Sequence, residues 1–217
     1  MPVPYTVMNL KRVENYLGEE GILSTRLEGF EFRPQQVDMA AAVAEAFGNA
    51  KHLIVEAGTG TGKSLAYLIP AILWAVENNK KVVISTYTKT LQHQILNHDI
   101  PFLRDKLGIA FRYALCMGNE NYLSLRRLKR SAQAGLFTKS DEENQWDGIF
   151  NWAEETETGF RSDLPFEVLP QVWEEVGRQK DLCLGKSCET HSSCFYFKAR
   201  KKWFGAHLLI VNHHLFF

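Results

Sequence analysis

Eight residues, Ala57-Gly-Thr-Gly-Thr-Gly-Lys-Ser64, carry the clearest chemistry in this sequence. They fit a phosphate-binding loop, with Ala57 where the strict pattern has glycine. A triphosphate needs several backbone N–H groups turned into one concavity, and Gly58, Gly60 and Gly62 permit that by lacking Cβ. Thr59 and Thr61 complete the loop, and a helix opening at its end adds a positive dipole and unpaired N–H groups. Lys63 can reach the β- and γ-phosphates, and the Ser64 hydroxyl can ligate Mg²⁺. The competing reading is a flexible glycine turn. The apolar run His52–Glu56 before it, expected to be a buried strand, and Gly-Lys-Ser directly opening a helix favour the phosphate loop.

A second chemistry lies in Cys183-x₄-Cys188-x₅-Cys194. Three thiols so close in a chain without a secretory leader point to metal rather than to disulfides. Soft sulfur ligands select an iron–sulfur cluster or zinc. A [4Fe–4S] cluster takes a fourth thiolate, and Cys116, 67 residues upstream, is the one left. His191 would instead complete a Cys₃His zinc site. Three unliganded core thiols are the plainer alternative.

Ser85, Thr86, Thr90 and Gln92 put hydroxyls and amides at a strand's C-terminal end and the next helix's start. In α/β sheets ligands bind at that edge, and such groups suit nucleic-acid phosphates; a simple helix cap would use the same residue types. Basic runs at 126–130 and 198–202 bracket the cysteines, and Tyr122, Phe195, Tyr196 and Trp203 are candidates for base stacking or for core. A motor NTPase also needs a carboxylate pair ending an apolar strand. None is found: the last apolar strand ends in Asn212-His213-His214, and such carboxylates are expected beyond Phe217.

The elements that must position these groups follow from periodicity. A helix starts at Pro34 and runs through Val37, Ala40, Val43, Ala44 and Phe47. Another follows Ser64, with a kink expected at Pro70. Strands are expected at 52–56, 81–86, about 111–117 and 207–212, which alternate with helices and imply a parallel sheet. From Gly118 to Trp203 the character turns basic, acidic-aromatic and cysteine-bearing, as for an inserted small domain. The expected division is 1–117 with 204–217, and 118–203 inserted. The 217 residues are 45% hydrophobic with formal net charge zero, so partners must be read from local charge. No apolar run is long enough for a membrane helix, and a cytoplasmic chain is expected.

Together these motifs resemble the N-terminal part of the XPD/DinG-type superfamily 2 DNA helicases. Arg33-Pro-Gln-Gln36 is similar to the family's adenine-recognising element, Ala57–Ser64 to its phosphate loop, and Ser85–Gln94 to its DNA-contacting motif. Gly118–Leu123 resembles the segment entering the iron–sulfur domain, and Cys183, Cys188 and Cys194 its last three cluster ligands. The resemblance implies an α/β, RecA-like first motor domain with an inserted, mainly helical iron–sulfur domain. It implies a monomeric, ATP- and Mg²⁺-dependent 5′→3′ helicase on single-stranded or forked DNA, with Arg33 and Gln36 at the base. One departure stands out. Where the family has its first cluster cysteine this chain has Ser124, with Cys116 eight residues earlier. A rival reading is a nucleotide-gated nucleic-acid-binding module that does not unwind.

Overall fold

The computed structural model describes residues 10–134 and 140–216. Residues 1–9 and 135–139 and Phe217, which fall in the expected N-terminal helical region, the insertion and the chain's end, lie outside them. The chain divides into two compact units, Met1–Leu115 with Gly205–Phe217, and Cys116–Phe204.

In the first unit, α1 (Leu10–Leu17) and α2 (Ile22–Arg26) lead to α3 (Pro34–Asn49). Pro34 opens α3, where its missing N–H leaves no intrahelical bond unmade. The small residues Ala40 and Ala44, both fully buried, let α3 lie close against α4 (Lys63–Glu77). Phe47 stacks on Trp74 with ring centroids 5.1 Å apart. Leu68, Ile69, Ile72 and Leu73 bury the apolar side of α4, each worth about 1.5–3 kcal/mol of transfer free energy. Pro70 is buried within α4, which continues past it to Glu77.

The sheet follows. β1 (Val82–Thr86) leads through α5 (Lys89–Gln94), a π-helical turn (Ile95–Asp99) and α6 (Ile100–Leu107) to β2 (Tyr113–Cys116). β3 (Leu208–Asn212) returns from far along the chain to lie between them, giving the order β1-β3-β2. β1 and β3 are parallel, with Val82 opposite Leu208 and Thr86 opposite Asn212.

The expected buried strand at 52–56 is not formed. The segment pairs with no strand of this sheet, and Leu53, Ile54 and Val55 are 42%, 98% and 40% exposed. The physical reason is that a strand exists only through its neighbours, and no described strand runs beside it. An apolar hollow of about 440 Å³ adjoins this segment, lined by Val43, Phe47, Leu53 and Trp74.

The second unit is mainly helical: α7 (Leu125–Ala134), α8 (Ser140–Glu155), α9 (Pro170–Val176) and α10 (Phe195–Gly205). Its core gathers Tyr122, Leu123, Leu128, Ile149, Val172, Trp173, Val176 and Phe195. Two single antiparallel bridges, Tyr122 to Phe160 and Leu123 to Gly177, pin the entering chain to this core. Trp173 donates its indole N–H to the Glu120 carbonyl at 2.9 Å, and Trp146 donates to Ser131 Oγ at 2.8 Å.

Candidate nucleotide site and cysteine cavity

The phosphate loop sits between the exposed 52–56 segment and the first turn of α4. Gly60 and Gly62 take φ of +81° and +74°, left-handed conformations in which a Cβ is strained. Gly62 has a second reason to be glycine: a Cβ there would stand 2.1 Å from Gln36 Nε2. That amide, on a residue only 4% exposed, donates to the Gly62 carbonyl at 2.8 Å. Arg33 donates to the Gly60 carbonyl at 2.7 Å and to Glu31 Oε2 at 2.8 Å. The residues expected at the base are thus tied directly to the loop. Thr61 Oγ1 donates to the Gly58 carbonyl at 3.0 Å, tightening the turn, and Thr59 is exposed.

Lys63 folds back on the loop. Its ammonium donates to the carbonyls of Ala57 at 3.0 Å and Gly58 at 2.6 Å. Oxygen acceptors therefore already surround Nζ, and phosphate oxygens would exchange for them one for one. Ser64 lies close to Asp99 and Tyr67, a neighbourhood the sequence did not reveal. Burial raises the Asp99 carboxyl above its ordinary range, against the pull of hydrogen bonds from Ser64 and Gln94. The only sequence signal for Asp99 was its helical position, which says nothing about what faces it.

At the C-terminal edge of the sheet the four residues expected at nucleic acid divide. Ser85 and Thr90 are exposed, whereas Thr86 and Gln92 are 2% and 4% exposed. The cap of α5 is made by Thr88, whose Oγ1 accepts from the Leu91 N–H at 3.2 Å. Ser85 Oγ stands 3.3 Å from His213 Nδ1, and Tyr87, 72% exposed, lies against the rings of His213 and His214. Tyr87 was not singled out from the sequence; its place directly after β1 was the available signal.

In the second unit one cavity collects Cys183, Cys188 and Cys194, together with Ser124 and His191. Cys116 is not among its lining residues. That thiol is 9% exposed, and burial pushes its pKa up to about 11. At Cys183 burial also acts upward, but the Gly185 N–H and the Arg178 and Arg126 charges outweigh it, so its pKa lies below the ordinary thiol value. His191 Nδ1 is 3.0 Å from the Gly185 carbonyl. Among the described residues no three His, Cys, Asp or Glu side chains are gathered so as to hold one metal ion, so the Cys₃His zinc arrangement is not assembled. The donor set fits an iron–sulfur core better, because soft thiols from three points of the chain rim one space. That space is about 30 Å³, and a cluster would have to spread the 182–191 loop, whose Leu182 and Leu184 are half exposed.

The basic run at 126–130 turns partly inward. Arg126 donates to the Leu182 carbonyl at 2.5 Å, and Arg127 to the carbonyls of Glu174 and Glu175. Arg178 lies over the Tyr196 ring at 3.9 Å and donates to Asn119. Of the candidate stacking residues, Tyr122 and Phe195 are buried; Tyr196 and Trp203 are partly so and pack edge to face.

A parallel sheet carrying a glycine loop that opens a helix defines a nucleotide-binding helicase domain. Residues 34–143 match the DEAD/DEAH box helicase family, and the chain belongs to it. Its relatives are of the DinG and YoaA kind. It is 37% identical over 213 residues to the ATP-dependent DNA helicase YoaA of Haemophilus influenzae, covering 95% of this chain and 32% of that protein. With the ATP-dependent helicase DinG of Mycobacterium tuberculosis it shares 39% over 210 residues, 87% of this chain and 31% of the relative. With the 3'-5' exonuclease DinG of Bacillus subtilis it shares 33% over 208 residues, 91% and 21%. The chain thus spans about a third or less of these relatives. Among the described residues no helix is long and apolar enough to cross a membrane.

Proposed function

We propose that this chain is the nucleotide-binding first motor domain and cysteine-bearing insertion of an ATP-dependent DNA helicase of the DinG type, working in the cytoplasm. The observation that carries the reading is the bonding of Gln36 and Arg33 to the phosphate loop, which makes base and phosphate recognition one structure. Gln36 and Arg33 position the base. The loop N–H groups, freed by the glycine conformations, take the phosphates, and Lys63 exchanges the Ala57 and Gly58 carbonyls for phosphate oxygens. Ser64 holds Mg²⁺, which supplies charge neutralisation at the phosphates. The water-activating carboxylates and a second motor domain come from the rest of the protein, as do the strands that would pair with 52–56. Ser85, Thr90 and Tyr87 offer exposed contacts to a single strand of DNA at the sheet edge, and 5′→3′ stepping along it follows from the family resemblance.

The cysteine cavity of the second unit would hold an iron–sulfur cluster through Cys183, Cys188 and Cys194. The cluster supplies a rigid cross-link between loops here, so that the module can part the strands of a fork; no redox step is required of it.

The test uses the full-length protein. DNA-stimulated ATP hydrolysis and unwinding of a fork with a 5′ tail, both lost in Lys63→Ala, are expected. The 217-residue chain alone should bind nucleotide without turnover. Nucleotide-dependent DNA binding without hydrolysis by the full-length protein would replace this reading with a gated binding module. Fork opening only from a 3′ tail would overturn the polarity.

A further inference from the structure

We propose that Ser124, and not Cys116, is the fourth protein group facing the iron–sulfur core, so that this chain holds its cluster by three thiolates and one oxygen. The inference rests on the reading of the cysteine cavity as a cluster site.

Three observations carry it. First, Ser124 lines the same cavity as Cys183, Cys188 and Cys194, and Cys116 does not. Second, the backbone fixes Ser124 there. The Ser124 N–H donates to the Val176 carbonyl at 2.9 Å, the Arg178 N–H donates to the Tyr122 carbonyl at 2.8 Å, and Leu123 bridges Gly177. Residues 122–124 are therefore laced to 176–178, a few positions before Cys183. Third, Cys116 closes β2 as a buried residue, so reaching the cavity would mean breaking that strand's end.

The plainer role for Ser124 is capping α7, since its Oγ accepts from the Arg127 N–H. At 3.4 Å that bond is long, and a hydroxyl oxygen keeps a second lone pair for another partner. Capping and ligation are compatible, and a cap alone does not account for three thiols around the same space. An oxygen is a harder donor than sulfur, so the iron it faces would be the one most easily exchanged.

The experiment is anaerobic reconstitution of the chain with ferrous iron and sulfide. Iron and sulfide content, visible absorption, the electron paramagnetic resonance spectrum of the reduced protein and the rate of iron loss to a chelator are then read. Wild type should hold about four irons. Cys116→Ala should match it in every readout. Ser124→Ala should lose iron about 10-fold faster or more, as for loss of a group tuning a metal site. Ser124→Cys should hold iron more tightly than wild type and change the resonance spectrum. Circular dichroism checks that each variant is folded, and if Ser124→Ala is not, Ser124→Cys carries the decision. Loss of the cluster in Cys116→Ala, or an unchanged spectrum in Ser124→Cys, would overturn the assignment while leaving the cluster reading intact. Absence of iron from wild type and Ser124→Cys alike would overturn the cluster reading itself, and the assignment with it.

Discussion

Gln36 Nε2 donates to the carbonyl of Gly62 at 2.8 Å, joining the first turn of α3 to the residue that opens α4. The contact explains why two separate sequence motifs function as one site. Gln36→Ala should weaken ATP binding about 5–10-fold, the worth of one lost hydrogen bond together with a buried carbonyl left unpaired. Gly62→Ala should do more damage, since its Cβ meets the Gln36 amide in a backbone conformation alanine resists. Titration with a fluorescent ATP analogue measures both, and wild-type affinity in either variant would count against the coupling.

The four cysteines should differ in reactivity. With metal removed, at about pH 7–8, Cys183 should be alkylated ahead of Cys116, because reaction follows exposed thiolate. Mass spectrometry of a short iodoacetamide pulse reads the order, and denaturation should abolish it. Early modification of Cys116 would contradict its buried placement.

Asp99 gives a pH dependence. Its carboxyl pKa is raised from 3.8, chiefly by burial, so the protonated form favours the folded chain. That advantage is present at acid pH and is lost as pH rises through the folded-state value. Asp99→Asn keeps the group neutral, so its stability relative to wild type should grow as pH rises from about 4 toward neutrality. Chemical denaturation of both proteins across that range checks the sign.

Ile149, fully buried in the core of the second unit, tests that unit's dependence on packing. Ile149→Ala should cost about 2–5 kcal/mol. Calorimetry should show that loss, and a change under 1 kcal/mol would mean the core is looser than its burial implies.

What the sequence disclosed was local. Glycine placement, Pro34 at a helix start and the run Leu208–Val211 each announce an element through backbone preference or periodicity. The 52–56 run did not become a strand, because pairing is decided by distant chain and no periodicity reports it. Thr86 and Gln92 match a contact motif by type, but the fold buries both. The pairing of 122–124 with 176–178, which selects Ser124 over Cys116 at the cavity, depends on chain closure across about fifty residues. Asp99 beside Ser64 was likewise invisible until α4 and the π-helical turn were packed.

Leu53, Ile54 and Val55 carry a practical consequence. They are exposed, β-prone residues in extended chain and present a ready template to another polypeptide. The isolated 217-residue chain should therefore resist concentration, precipitating more readily as protein is added and less readily when a charge replaces Ile54. Its shelf life is set by three side chains rather than by the stability of either core.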